Sequence, residues 1–444
     1  MSSNGVSVKT SDWFGHPRGL SVLFFTEMWE RFSYYGMRAI LILYMVAPVT
    51  AGGLGYSTVR AASIYGWYTM LVYAMAIPGG FVADRLIGYY RAVLLGGIVI
   101  ACGHFTMAFH STSFFFLGLT LIVIGTGLLK PNVSSMVGSL YAQDDPRRDS
   151  GFSVFYMGIN IGAGAAPIVC GWLGQRVDWH FGFAAAGFGM VIGVVQYVIG
   201  RRWVEAARVQ THVEALAHAE EKKSFTPEEW KRVIVILVLF LFAILFWGAF
   251  EQSGSSLTLF ADRYTRLTLF GWSFPSSWFQ VEQPVFVLIL APAFAWLWLR
   301  LGSRQPSSAM KFAMGLILVG LGFLWIVPAA ASAQQTGVRV SPIWLTVLYL
   351  VHTFGEMCLS PVGLSIVTKL SPKRIVGLMM GVWFLGTSFG SKLAGWAASF
   401  FDVVPVSRLF LINALTTIIA GVILLLLARA ISRLTKDTPQ AARE

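Results

Sequence analysis

Charged residues are scarce in this sequence. Asp, Glu, Lys and Arg make up 12% of the 444 residues, whereas hydrophobic residues make up 56%. An average soluble domain has about 25% charged residues. The mean hydropathy is +0.67. This composition excludes a soluble globular protein and indicates a chain that crosses a membrane many times.

Cysteine is also rare, with three residues, Cys102, Cys170 and Cys358, each inside an apolar stretch. They offer no disulfide framework and no metal-ligand spacing, so we expect them to pack as small apolar side chains. The sequence contains no paired histidines, no Ser/His/Asp set with plausible spacing and no nucleotide-binding loop. We therefore expect no enzyme activity, no metal and no cofactor.

Long apolar runs are abundant. A helix needs about 20 apolar residues to cross a bilayer, and a transmembrane barrel would instead show short runs that alternate with period two. The sequence predicts an all-α transmembrane protein with helices over residues 19–48, 58–82, 91–109, 113–140, 151–174, 180–201, 231–261, 276–300, 309–330, 342–369, 374–400 and 405–429.

The distribution of Lys and Arg predicts the orientation, because positively charged loops stay in the cytoplasm during insertion. With both termini inside, the tails and inner loops hold 23 of the 33 Lys and Arg residues, against 6 in outer loops and 4 inside spans. The net charge of +12 fits an inner face that meets the anionic lipid of a plasma (inner) membrane. No soluble domain remains that would bind nucleic acid.

One long polar stretch divides the twelve spans into six and six. The sequence predicts an N-terminal bundle over residues 1–200, a cytoplasmic linker over 201–230 and a C-terminal bundle over 231–444. At the end of the linker, Thr226-Pro227-Glu228-Glu229 is typical of a helix start. The linker is too short to contain two further membrane helices.

The two halves retain a faint repeat. Pro131 in span four recurs 230 residues later as Pro361 in span ten, and Gly158 in span five recurs 228 residues later as Gly386 in span eleven. Such repeats are typical of transporters built from duplicated bundles around a central cavity.

Nine charged side chains interrupt the predicted spans. Each one costs roughly 2.5 to 3.5 kcal/mol at the centre of a membrane helix, so it should face a partner or a wet cavity and mark a functional site. The nine are Glu27, Glu30, Arg31, Arg38, Lys130, Glu251, Glu282, Glu356 and Lys392.

Four of these charges lie at three- and four-residue steps in the first span, which puts them on one helix face together with Tyr34. The charges either form a functional stripe or merely pair to hold helices together. Pairing alone is an expensive way to pack a bundle, because apolar replacements often do no worse.

The sequence of the first span also resembles that of a known family. Phe24-Phe-Thr-Glu27-Met-Trp-Glu30-Arg31-Phe-Ser-Tyr34-Tyr35-Gly-Met-Arg38 resembles the first helix of the proton-coupled oligopeptide transporter family of the major facilitator superfamily. The loop Gly80 to Arg91 resembles the superfamily's loop motif. Four further segments resemble family motifs, in order along the chain: Gly125–Ser134, Phe155–Gly162, Phe246–Gln252 and Gly355–Gly363.

The resemblance implies a major facilitator fold and symport of protons with di- and tripeptides by alternating access. It implies that Arg38 and Lys130 hold the peptide carboxylate, Glu356 the ammonium group and Asn160 the peptide amide. The residues expected to wall the side-chain pockets are Tyr34, Tyr73, Trp247, Trp383 and Phe384.

For proton coupling, the resemblance points to Glu27, Glu30 and Arg31 as one cluster, and to Glu251 and Glu356 as partners of the substrate-binding cations. In the family picture Arg38 pairs with Glu251, and Lys130 pairs with Glu356. Protonation of the acid then frees the cation for the peptide, with the proton as the coupling ion and no other cofactor.

Several features depart from the family pattern. Gln283 stands where the family often has Asn, and we place it with Ser360 in the substrate site. Glu282 and Lys392 have no predicted role. Two alternatives stay open, a symporter of nitrate or another small anion, and a peptide sensor that does not transport. We expect a monomer in the bilayer.

Overall fold

The computed structural model describes residues 12–142, 145–205, 226–372 and 375–436. Twelve long helices carry the fold in these ranges, which confirms the predicted all-α architecture. They are α1 Arg18–Val46, α2 Thr58–Ala74, α3 Tyr89–Met107, α4 Thr112–Ser139, α5 Arg148–Arg176, α6 Trp179–Ile199, α7 Pro227–Phe250, α8 Glu282–Leu301, α9 Ser308–Thr336, α10 Ile343–Leu370, α11 Val376–Ala398 and α12 Val406–Lys436.

Short elements cap or connect these helices. Short α-helices cover Ala76–Val82, Arg201–Glu205 and Ser256–Tyr264, and a π-helical turn covers Ala83–Ile87. The 3₁₀ turns are Val49–Ala51, Glu251–Gly254, Ser276–Val281 and Gly302–Arg304. Two small antiparallel hairpins pair Asp12–Trp13 with His16–Pro17 and Thr268–Leu269 with Trp272–Ser273.

The helices have the length and composition of membrane spans. Within the described residues, ten helical segments are long and apolar enough to cross a bilayer, and α1 and α11 complete the set of twelve. Large apolar side chains also remain on the outside, for example Ile199 at 70% and Leu426 at 76% exposure. Such a surface suits lipid rather than water. The protein is therefore a multi-pass membrane protein.

The start of α7 matches the prediction, and the structure adds a turn inside the predicted span. Thr226 caps the helix, since its hydroxyl accepts from the Glu229 amide at 3.2 Å while the Glu229 carboxylate accepts from the Thr226 amide. The predicted span over 231–261 lies within the membrane-length helical segment Pro227–Tyr264, but a 3₁₀ turn, Glu251–Gly254, interrupts the α-helix after Phe250. The turn sequence, Glu251-Gln-Ser-Gly254, is polar and ends in glycine, which is a poor helix former.

The predicted linker over 201–230 lies mostly outside the described residues, and the domain boundaries stay a prediction. Of this segment the structure describes Arg201–Glu205 and the residues from Thr226 onward.

The repeat suspected from sequence is visible in the helix packing. In the first half α1 packs on α5, and α3 packs on α4 and α6. The second half repeats these pairs, with α7 on α11 and α9 on α10 and α12. The two halves meet mainly where α2 packs on α11 and α5 packs on α8. These shared pairings indicate two related six-helix bundles.

Polar contacts between the halves lie at the centre of the molecule and at one face. We call this the distal face, which is the end where α1 ends and α2 begins. There Thr58 of α2 donates to Asp402, and Arg263 lies 2.8 Å from Asp402 and 3.3 Å from the Thr58 hydroxyl. Nearby, Gln175 of α5 donates to Ser276 at 2.8 Å. The halves are thus joined at the distal face.

The short helix Ala76–Val82, which follows α2, passes so close to α4 that it needs a glycine at the contact. A Cβ added to Gly79 would lie 1.8 Å from the carbonyl oxygen of Gly127, whereas one added to the adjacent Gly80 would meet no atom within 4 Å. The backbones therefore approach too closely for any side chain at Gly79.

We predict that Gly79→Ala destabilises the protein by about 1–3 kcal/mol, as overpacking does in other cores. Gly80→Ala serves as the matched control and should be neutral or slightly stabilising, because alanine is the better helix former. Thermal unfolding in detergent, followed by tryptophan fluorescence, measures both. Equal melting temperatures for the two variants would contradict this packing.

Candidate functional site

The acids and the arginine of α1 form a buried cluster. Glu27, Glu30 and Arg31 are 2%, 0% and 3% exposed. The Arg31 Nε lies 3.2 Å from Glu27 Oε1, and the guanidinium also pairs with the Glu30 carboxylate. Two carboxylates thus share one guanidinium, and one oxygen of each has no hydrogen-bond partner among the described residues. The cluster has one negative charge in excess when both acids are ionised.

Two turns further along α1 than Arg31, Arg38 joins the two halves. Its Nη2 lies 2.6 Å from Glu251 Oε2, and its Nε donates to the Tyr65 hydroxyl at 2.6 Å. Nη2 also lies 3.4 Å from the Ser253 hydroxyl. All of these partners except Tyr65 belong to the second half. The pairing of Arg38 with Glu251 predicted from the resemblance is therefore present in this structure.

The break after α7 makes this pairing possible. Glu251 begins the 3₁₀ turn that ends at Gly254, and this turn packs directly on Arg38 and Tyr65. A Cβ on Gly254 would lie 1.9 Å from the Tyr65 hydroxyl and 2.7 Å from Arg38 Nε. The turn thus needs a glycine at this position to seat the guanidinium.

The second predicted pair is not formed in this structure. Lys130 of α4 places its ammonium 3.9 Å from the ring centroid of Tyr73, and it makes no ion pair with a carboxylate in the described part of the chain. Glu356 of α10 instead accepts a hydrogen bond of 2.9 Å from the side-chain amide of Gln283. Among the described residues, Glu356 therefore has this neutral amide and no cation as its partner.

A cavity of about 110 Å³ lies between the halves at this level. Its lining includes the cation Arg38 from the first half and Glu356 with Gln283 from the second half. The remaining walls come from α1, α5, the segment after α7, α8 and α10, through Tyr35, Tyr156, Ile159, Asn160, Ala163, Ser253, Gln280, Pro284 and Tyr349. The cavity therefore combines one cation, one acid, two amide-bearing side chains from the predicted set and several tyrosines.

Four of the predicted substrate residues line this cavity, namely Arg38, Asn160, Gln283 and Glu356. The others lie elsewhere. Tyr34 is buried with its ring 5.2 Å from the Arg31 guanidinium carbon, and Tyr73 contacts Lys130. The Ser360 hydroxyl is buried without a partner among the described residues.

The three remaining aromatic residues of the prediction belong to the second half. Trp383 is 7% exposed and packs on Phe312, Trp247 is half-buried against Phe250, and Phe384 is 45% exposed. Their contribution to a side-chain pocket stays a prediction.

Sequence reasoning missed several cavity residues. Tyr156 precedes Asn160 by four residues and Tyr349 precedes Glu356 by seven, so helical spacing would have placed each on the same face as a predicted residue. Gln280 and Ser253 gave no such signal, because both lie in 3₁₀ turns that the helix pattern did not predict.

The two charges without a predicted role have local partners. The Thr346 hydroxyl donates to Glu282 Oε1 at 2.8 Å, next to the cavity but not in its lining. Lys392 places its ammonium 4.0 Å from the ring centroid of Trp67, across the contact between α11 and α2. In the described part of the chain, the lysine is thus stabilised by an aromatic face and has no acidic partner.

Fold and site together define a class of protein. Two related six-helix bundles that meet around a cavity with buried charges form the architecture of a secondary transporter. The chain belongs to the POT family, whose model matches residues 90–217 and 209–418.

Similar proteins cover nearly the whole chain. An "Uncharacterized transporter YclF" of Bacillus subtilis (strain 168) is 41% identical, over 97% of this chain and 97% of the relative. A "Di-/tripeptide transporter" of Lactococcus lactis subsp. cremoris is 37% identical, over 96% of this chain and 98% of the relative. A crystal structure of a peptide transporter POT in complex with sulfate has a TM-score of 0.87 at 38% identity, over 96% and 97% of the two chains. The resemblance inferred from the motifs is confirmed.

We predict that Gly254→Ala displaces Arg38 and lowers the melting temperature, because the new methyl group meets the Tyr65 hydroxyl. Tyr65→Phe removes that hydroxyl, so the double variant should recover part of the loss and give a non-additive cycle. Gly381→Ala is the matched control, since a Cβ there meets no atom within 4 Å. Strict additivity of the two changes in a thermal unfolding assay would contradict the contact.

Proposed function

We propose that the protein is a proton-coupled symporter of di- and tripeptides that works by alternating access. The observation that carries this proposal is that one central cavity is lined by both a cation and an acid, Arg38 from the first half and Glu356 from the second. A peptide is a zwitterion, so its carboxylate matches the arginine and its ammonium group matches the glutamate. A nitrate ion carries no positive charge, so it would leave Glu356 without a cationic partner.

The rest of the cavity suits a variable substrate. Asn160 and Gln283 supply amide groups that can hydrogen-bond a peptide backbone, and three tyrosines offer apolar faces with polar ends. The cavity of about 110 Å³ is smaller than the roughly 300–1,000 Å³ of typical ligand sites. Binding and release therefore require the halves to move apart, as alternating access demands.

Proton coupling follows from competition for Arg38. A proton on Glu251 removes the negative charge that holds the guanidinium and leaves Arg38 free for the peptide carboxylate. Removing one partner of a buried pair costs about 3–5 kcal/mol, which is enough to alter the balance between two conformations. The cluster of Glu27, Glu30 and Arg31 accepts a second proton without leaving an unpaired charge.

The predicted topology gives these steps a direction. With both termini in the cytoplasm, the distal face points outward, and the contact of Thr58, Arg263 and Asp402 closes the outer side. Uptake then begins when this contact opens. The protein acts in this scheme as a monomer in the plasma (inner) membrane, with the proton as the coupling ion and no cofactor.

Counterflow in proteoliposomes tests the substrate class. Labelled dialanine should enter vesicles loaded with unlabelled dialanine, and dialanine and trialanine should compete. N-acetyl-dialanine should compete poorly, because it lacks the ammonium group for Glu356. Competition by nitrate but not by dialanine would identify an anion symporter instead. Dialanine binding without any exchange would identify a sensor.

We predict that Glu251→Gln abolishes proton-driven accumulation of dialanine but retains exchange, because the variant mimics the protonated acid permanently. The readout is uptake with an inward proton gradient compared with counterflow without one. Glu282→Gln is the matched control, since this neighbouring acid does not line the cavity, and it should accumulate peptide normally. Full accumulation by Glu251→Gln would overturn the coupling scheme.

A further inference from the structure

A second polar cluster lies at the distal face, within the first half. His110 belongs to the loop between α3 and α4, Asp178 directly precedes α6, and His180 is the second residue of α6. His180 Nδ1 lies 2.8 Å from Asp178 Oδ1, and His110 Nε2 lies 3.9 Å from Asp178 Oδ2. One potential ligand atom from each residue lies within 4.8 Å of the other two. Peptide transport as proposed above does not use these residues.

We propose that this cluster binds a divalent transition-metal ion of the Zn²⁺ type. The ligands are His110 Nε2, the Asp178 carboxylate and His180 Nδ1, with water in the remaining position. Two imidazoles and one carboxylate are a donor set that favours Zn²⁺ and its neighbours over Mg²⁺ and Ca²⁺, which prefer oxygen ligands alone.

Only a small movement is needed to close the site. Zinc bonds to nitrogen and oxygen are about 2.0–2.2 Å long, so the ligand atoms of a tetrahedral site lie about 3.4 Å from one another. In this structure the three potential ligand atoms lie within 4.8 Å of one another. The His110 side chain is 72% exposed and lies against the His180 ring, with the centroids 3.7 Å apart and the ring planes tilted by 32°. Rotation of this exposed ring brings its nitrogen to the ion without disturbing the core.

The other two ligands are already held in place. Asp178 Oδ1 accepts from the backbone amide of His180 at 2.8 Å and so caps α6. His180 is buried, and its Nε2 lies 3.4 Å from the hydroxyl of Tyr44 in α1. When Nδ1 binds the ion, Nε2 carries the proton and donates it in a hydrogen bond to Tyr44. Ligand histidines commonly have such an outer partner, which fixes the tautomer.

The site would brace the first half without linking it to the second. The ion would tie the loop between α3 and α4 to the start of α6 and, through Tyr44, to α1. Its main effect is therefore expected on the stability of the N-terminal bundle, since a ligand that binds the folded state raises the melting temperature.

Titration calorimetry of the full-length protein tests the site. The protein is purified without a polyhistidine tag and treated with chelator, and ZnCl₂ is then added. We expect one ion per chain and a zinc-dependent rise in melting temperature. His110→Ala should weaken binding at least about tenfold, or 1.4 kcal/mol. Asp178→Asn should weaken it too while keeping the helix cap. Co²⁺ should give the absorption of imidazole coordination.

His16→Ala is the control, because it removes a histidine that contacts Tyr141 away from this cluster, and it should bind zinc as the unmodified protein does. Equal zinc affinity for His110→Ala and the unmodified protein would overturn the proposal. So would the absence of binding at millimolar zinc, or equally tight binding of Mg²⁺. If Asp178→Asn fails to fold, the exposed His110 position decides alone.

Discussion

The ion pair between Arg38 and Glu251 joins helices from different halves in a place where neither charge can be left alone. Both side chains are nearly fully buried, and the guanidinium also contacts Tyr65 and Ser253. An unpaired buried charge costs several kcal/mol, so the arrangement of the halves is tied to the state of this pair. In the proposed mechanism, a change in protonation or a competing carboxylate alters this contact, and the packing of the halves responds.

The local backbone is built around the same pair. A continuous seventh helix would leave no short turn beside Arg38, whereas the 3₁₀ turn Glu251–Gly254 brings the Glu251 carboxylate and the Ser253 hydroxyl to the guanidinium. Gly254 allows the close approach. The apolar run predicted the membrane span over 231–261 but not the turn inside it, because hydropathy indicates depth in the membrane and not the course of the backbone.

The sequence predicted best those features that depend on residues close together along the chain. Helix number, the Thr226 cap and the charges on α1 are local patterns, and the structure has all three. Arg38, Asn160, Gln283 and Glu356 were found through motifs and meet in one cavity. The cluster of His110, Asp178 and His180 was missed, because the first two ligands are 68 residues apart and only the packing of the bundle brings them together.

The two charged residues of the cavity are not equally available to a substrate. Glu356 is paired with the neutral amide of Gln283, so an ammonium group that approaches it gains a charge partner without breaking an ion pair. Arg38 is held by Glu251, so a carboxylate must displace that acid or wait for its protonation. Within the proposed mechanism, the amino end of a peptide therefore binds without a proton, and the carboxyl end binds together with one. This order makes the closed, fully bound state depend on both the peptide and the proton, which is the condition for symport without leakage of either.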